Sequence, residues 1–207
     1  MFTGLVTDVG KIAAAEDRNG LRWFKVECAY PPETITMGAS IMHAGVCLTV
    51  VDYGAGSDGG SWFAVEAVPE TLEQTILGEW QEGAAINLEQ SLKLGDELGG
   101  HFVFGHVDGV GEVVSVAPEG QSYRVTIRPP ADIARYFAKK GSAAINGVSL
   151  TVADALPNGD FQVAVIPHTW DVTTIRELQP GSRVNLEIDM LARYVARMIG
   201  VDAPKTE

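Results

Sequence analysis

Two short polar side chains hold the same place in a repeated motif. Cys47 lies in Gly45-Val46-Cys47-Leu48-Thr49-Val50, and Ser149 lies in Gly147-Val148-Ser149-Leu150-Thr151-Val152, 102 residues later. A thiol and a hydroxyl are both capable nucleophiles, but each needs an adjacent base, and without one each reads as a small pocket-wall residue. His101 and His106 are five residues apart, and a histidine side chain on a pocket strand can shuttle protons; on spacing alone, a structural hydrogen-bonding histidine is the stronger reading. Asp189 is an acid present in one half only, because the matching position is Ser91. It directly precedes an apolar helical pattern, so an N-cap role competes with a chemical one. Lys140 can equally decorate a helix C-terminus. Thr71 and Thr169 follow Pro-X and either cap short helices or offer hydroxyls to a ligand. Four histidines and two cysteines, scattered along the chain, do not supply the three or four ligands of a zinc site, so no metal is expected.

The elements that must position these groups also come in pairs. Gly4 to Ile12 reads as a strand of β-branched residues bounded by glycines, and Gly105 to Val113 repeats its form. Leu21 to Cys28 and Ser122 to Ile127 form a second pair. A helical interlude follows in each half, clearer in the second, where Asp132 can cap, Ile133 to Lys140 can form turns and Gly141 can close the helix. After the motif come a glycine-rich connector, Gly54 to Gly60, and a hairpin-like loop, Leu156 to Asp160. Beyond these loops the offset becomes 98: Pro69, Thr71, Thr75, Asn87, Leu88 and Glu89 return as Pro167, Thr169, Thr173, Asn185, Leu186 and Glu187. A period near 100 residues is too long for a solenoid unit and marks a tandem duplication. Six short strands per copy, with glycine-rich turns, favour closed antiparallel barrels. The fold class is therefore all-β, with residues 1–97 as an N-terminal barrel, 98–189 as a C-terminal barrel and 190–207 as a helix and tail. In that helix Leu191, Tyr194, Val195, Met198 and Ile199 line one face. The face packs either on its own barrel or on a sister chain.

The whole chain bounds the function. A net charge of −12 over 207 residues argues against binding nucleic acid or anionic membranes through charge. Two cysteines without CxxC spacing fit free thiols in a reducing compartment. The N-terminal residues lack the basic and apolar regions of a signal peptide, and no stretch approaches a membrane span of about 20 apolar residues. The expectation is a soluble cytoplasmic protein. No G-x-G-x-x-G follows a strand and no P-loop is present, which excludes a nicotinamide or nucleotide-triphosphate domain.

Met1-Phe2-Thr3-Gly4-Leu5-Val6, the paired motifs, Asp96-Glu97-Leu98-Gly99-Gly100-His101 with Gly105-His106, and Val184-Asn185-Leu186-Glu187-Ile188-Asp189 together resemble the riboflavin synthases of the alpha-chain type over nearly the whole chain. The resemblance implies two six-stranded Greek-key barrels, a C-terminal helix that assembles a homotrimer, and active sites between subunits. It implies dismutation of two 6,7-dimethyl-8-ribityllumazine molecules by transfer of a four-carbon unit, without cofactor or metal. Carried over residue by residue, it places Ser40, Cys47, Leu48, Thr49, Glu66, Ala67, Val68, Pro69, Glu70 and Thr71 in the N-barrel pocket, joined by Gly105, His106, Val107 and Lys140 from another chain. Ser149, Leu150, Thr151, Ala164, Val165, Ile166, Pro167, His168 and Thr169 line the C-barrel pocket, joined by Gly4, Leu5 and Val6. His106, Ser149 and Asp189 assist proton removal and nucleophile addition, and Cys47 supports the other substrate. One departure is Ala44, where family members often carry Asn; Asn146 keeps it in the second half. Association with lumazine synthase is left open. Two rivals remain: a non-catalytic lumazine or flavin binder of the same fold, and a flavin reductase, the latter disfavoured by the missing nicotinamide domain.

Overall fold

The computed structural model describes residues 1–56 and 59–200. The middle of the Gly54 to Gly60 connector and the tail after 200 lie outside the described residues. The first half contains β1 (Asp8–Arg18), β2 (Leu21–Cys28), β3 (Ser40–His43), β4 (Val46–Ala55), β5 (Ser61–Ala67) and β6 (Ala85–Gln90), closed in the order β1-β2-β5-β4-β3-β6 with every pair antiparallel. The second half repeats this with β7 (Gly109–Glu119), β8 (Ser122–Arg128), β9 (Ser142–Ile145), β10 (Val148–Ala155), β11 (Phe161–Val165) and β12 (Arg183–Ile188). Even the bulges are duplicated. The register of β1 against β2 shifts between Ile12 and Ala14, and that of β7 against β8 shifts between Val113 and Ser115. Such bulges turn a sheet sharply enough to close it. Each barrel has its own core, with Phe24, Phe63 and Leu88 in one and Val125, Phe161 and Leu186 in the other. Closure leaves neither sheet with an open edge.

Two short helices, α1 (Pro69–Gln74) and α2 (Pro167–Val172), follow β5 and β11, each with proline at its start, where the missing N–H is not needed. Thr71 and Thr169 lie inside these helices, not at their caps. Their carbonyls accept the hydroxyls of Thr75 and Thr173, which in turn cap the 3-10 turns that follow. The interlude expected over Ile133 to Lys140 is not a helix. It is a single 3-10 turn, Ala134–Tyr136, without a side-chain cap. Eight residues cannot sustain a helix by themselves, and packing decides: buried Phe137 stacks on Phe161 at 4.2 Å and leaves the turn in an extended conformation.

The barrels meet through a third small cluster of Phe2, Met42, Val103 and Ala144. The tips of the β3–β4 and β9–β10 hairpins abut at Gly45 and Gly147. Buried asparagines stitch this contact. Asn87 donates to the Asn146 carbonyl at 2.9 Å, and Asn185 donates to the Ala44 carbonyl at 2.8 Å. Their side-chain oxygens accept the amides of Thr174 and Ile76 in the opposite barrel. Within the second barrel the Asn146 side-chain oxygen accepts the Asn185 amide at 2.8 Å, and Ala44 has no side-chain oxygen with which to do the same for Asn87. The terminal helix α3 (Met190–Met198) buries only Ala196. Its apolar stripe points outward, with Leu191 64% and Met198 85% exposed, so packing on its own barrel is ruled out. Among the described residues no helix is long and apolar enough to cross a membrane.

Candidate functional site

Each barrel presents its motif strand to a segment that arrives from outside it. On β4, the Cys47 amide donates to the Gly105 carbonyl at 2.9 Å; on β10, the Ser149 amide donates to the Gly4 carbonyl at 2.8 Å. Gly4 and Gly105 have φ of +75° and +76°, a conformation open to glycine and costly for other residues. A Cβ on Gly4 would sit 2.5 Å from that of Ser149, and one on Gly105 would sit 2.5 Å from that of Cys47. Only a bare backbone can pass so close to each motif strand. The N-terminal segment is held in place by pairing of Phe2 with Val103 and by the His101 amide, which donates to the Thr3 carbonyl at 3.1 Å.

The first site is a cleft of about 270 Å³ lined by Cys47, Glu70, Thr71, Gly105, His106 and Val107. Val46, Gln74 and Thr75 complete the lining, and the other six are residues the sequence singled out. Gly105, His106 and Val107 reach Cys47 within one chain, although the resemblance assigned them to a different chain. Lys140 is not in this cleft. It precedes β9 in the second barrel, exposed, with φ of +70° at the position Gly38 holds in the first. A lysine in a left-handed backbone is locally strained, a cost that folded proteins tolerate most at functional places. Of the other N-barrel candidates, Leu48 and Ala67 are buried in the barrel wall, whereas Thr49, Glu66, Val68 and Pro69 are exposed beside it. Ser40 faces Thr49 across the β3–β4 ladder and lines a separate cleft of about 200 Å³.

The second site gathers around Ser149. Gly4 lies against its backbone, Leu5 is exposed and Val6 packs on the core of the second barrel. Leu150 and Val165 are buried in the wall, Thr169 is half-buried, and Thr151, Ala164, Ile166, Pro167 and His168 are exposed. Nδ1 of His101 lies 2.7 Å from the Ser149 hydroxyl oxygen. Burial lowers the His101 pKa, opposed by the negative charge of Asp189. His101, read from spacing as structural, thus stands at the place where a nucleophile reading of Ser149 requires a base. Asp189 also accepts the Leu191 amide at 2.9 Å and caps α3, the N-cap reading that the sequence left open. Ser149, His101 and Asp189 lie at one site and His106 and Cys47 at the other, so the named chemical groups divide between two sites within a chain.

Two residues that sequence reasoning passed over organise both sites. Glu89 at the end of β6 accepts the Thr3 amide and hydroxyl at 2.6 and 2.8 Å and the Gly4 amide at 2.9 Å. Glu187 on β12 accepts the amides of Phe104, Gly105 and His106 at 2.7, 2.9 and 3.0 Å. Burial raises both pKa values against the pull of these donors, that of Glu187 to about 7. The signal was present: an acid at the same place in both copies, directly after an Asn-Leu pair. Among the described residues no group of histidine, cysteine and acidic side chains could hold a metal ion.

The family model of the lumazine binding domain matches residues 3–91 and 104–189, one match per barrel. The riboflavin synthase of Brucella abortus (strain 2308) is 50% identical over 198 residues, covering 96% of this chain and 98% of the relative. The riboflavin synthase of Bacillus subtilis (strain 168) is 32% identical over 199 residues, covering 96% and 90%. A solved structure of LumP complexed with riboflavin has the same fold, with a TM-score of 0.76 at 24% identity, covering 91% of this chain and 99% of that one.

Proposed function

The chain belongs to the lumazine-binding-domain family, and on that premise we propose that it makes riboflavin from two molecules of 6,7-dimethyl-8-ribityllumazine, one giving a four-carbon unit to the other and leaving as 5-amino-6-(ribitylamino)uracil. The observation that carries this reading is the pair of equivalent sites. Each is formed by one motif strand and one glycine segment, with a thiol in the first and a hydroxyl beside a histidine in the second. A reaction between two identical molecules is served by two related pockets, and holding both molecules turns a bimolecular encounter into a near-intramolecular one. The unequal chemistry of the pockets lets one molecule act as donor and the other as acceptor. Ser149, with neutral His101 drawing on its proton, delivers or orients the nucleophile that adds to one ring. His106 and Cys47 hold the second molecule, and Asp189 supports the histidine electrostatically. No cofactor or metal takes part.

Within a chain the pockets are distinct, so the reacting rings must meet across a subunit boundary. The outward apolar face of α3 is the surface for that assembly, a homotrimer in this reading, and the enzyme is a cytoplasmic transferase. Association with lumazine synthase would follow from shared metabolite chemistry. Incubating the purified chain with the lumazine alone tests the proposal. Riboflavin and the pyrimidine should appear together; a tightly held lumazine that is never converted would overturn it in favour of a binding protein.

A further inference from the structure

The paired pockets are set by a reciprocal device. Glu89 belongs to the first barrel, yet the segment it grips, Thr3-Gly4, presents its carbonyl to Ser149 in the second. Glu187 belongs to the second barrel, yet the segment it grips, Phe104 to His106, presents its carbonyl to Cys47 in the first. We infer that Glu89 and Glu187 are positioning residues, each anchored in one barrel and fixing the reactive pocket of the other. This rests on the reading of Ser149 and Cys47 as the centres of two substrate pockets.

The chemistry of the grip supports the inference. Three donors converge on each carboxylate, all from the crossing segment, and charged acceptors make the shorter and stronger hydrogen bonds. A buried glutamate in a barrel strand (after Leu88 for Glu89, between Leu186 and Ile188 for Glu187) is costly unless its partners are fixed. The glycines leave the segments no side-chain anchor at the point of contact. Without the carboxylate, the amides of Thr3 and Gly4, or of Phe104 to His106, lose their acceptor. The segment is then free to drift from the motif strand, and a displacement of an ångström at a reacting centre costs about a hundredfold in rate.

The test is amide hydrogen exchange on the full-length chain, followed by turnover of 6,7-dimethyl-8-ribityllumazine. Glu187→Ala should speed exchange at Phe104, Gly105, His106 and Cys47 by about tenfold to a hundredfold, the loss expected for hydrogen bonds to a charged acceptor. It should leave Thr3, Gly4 and Ser149 unchanged. Glu89→Ala should show the converse pattern. Glu187→Gln and Glu89→Gln keep one acceptor oxygen; they should give the same crossed pattern at smaller amplitude, and they serve if the alanine variants do not fold. Exchange that rises everywhere, or at neither segment, would overturn the inference. The crossed exchange pattern together with a chain that converts no lumazine would instead sink the assigned reaction and leave the positioning role standing.

Discussion

Nδ1 of His101 sits 2.7 Å from Oγ of Ser149, whereas among the described residues the Cys47 thiol has no hydrogen bond to a base. Ser149→Ala and His101→Gln should each slow riboflavin formation by about a hundredfold or more, in the range of a lost general base. Cys47→Ala should cost less. Because burial depresses the His101 pKa, the imidazole is neutral through neutral pH and the acid limb of kcat/KM should fall below the ordinary histidine value of about 6.5. In His101→Gln that limb should vanish; a limb that persists unchanged would remove His101 from the reaction.

Asp189 serves two roles that substitution can separate. Asp189→Asn keeps an oxygen for the Leu191 amide but removes the charge felt by His101. It should hold the melting temperature while moving the acid limb to lower pH. Asp189→Ala loses the cap as well, at about 1 kcal/mol. Equal melting temperatures for the two variants would show that the cap contributes nothing.

Ala44 and Asn146 occupy the same turn position with φ of +43° and +46°. Asparagine tolerates that backbone better than alanine, and only Asn146 accepts a backbone amide on its side chain, that of Asn185 in its own barrel. Ala44→Asn should stabilise the chain by about 1 kcal/mol, read from chemical denaturation. A loss of stability would mean the pocket around Ala44 is too full for the larger side chain.

His43 is fully buried in the first barrel, edge-on to Phe63, where the second barrel has Ile145. Its Nδ1 meets the Ile41 carbonyl at 2.9 Å, and its Nε2 has no partner among the described residues. Burial lowers its pKa to about 4. The unfolded chain therefore binds the proton more readily. The stability of the neutral form is complete above about pH 6.5 and is lost as pH falls toward 4, on the order of 3 kcal/mol in all. His43→Ile should flatten that part of the stability curve relative to the unaltered chain. Parallel curves would contradict the assignment.

Leu191, Tyr194 and Met198 expose an apolar stripe that α3 does not bury. Leu191→Lys with Met198→Lys should convert an assembled species into single chains in sedimentation, with turnover lost as the pockets separate and the barrels still folded. An assembly that survives both charges would place the interface elsewhere.

How the fold could be read from residues follows from its symmetry. The duplication exposed itself because the motif strands, Pro69 and Pro167, and the Asn-Leu-Glu runs match at nearly fixed offsets. The barrel order then follows from one copy. The segment after Asp132 failed because local capping rules were outweighed by the demand that Phe137 reach Phe161. The cap reading of Thr71 and Thr169 failed for a related reason: proline opens the helix at its own position, so the N-caps are Val68 and Ile166, three residues earlier. Cys47 and Ser149 were legible as equivalents. His101 was not, because its contact with Ser149 spans 48 residues of chain and depends on the Thr3 carbonyl holding its backbone. The crossing of the two segments is likewise a tertiary fact: nothing local says that Gly4 will reach the second barrel or Gly105 the first.

The account turns on each chain carrying two lumazine pockets of equal lineage and unequal chemistry. Calorimetric titration of the purified protein with a non-reacting analogue of the lumazine counts them directly. Two analogue molecules bound per chain is the predicted result, with binding weakened at one by Ser149→Ala and at the other by Cys47→Ala; a single site per chain would contradict the account.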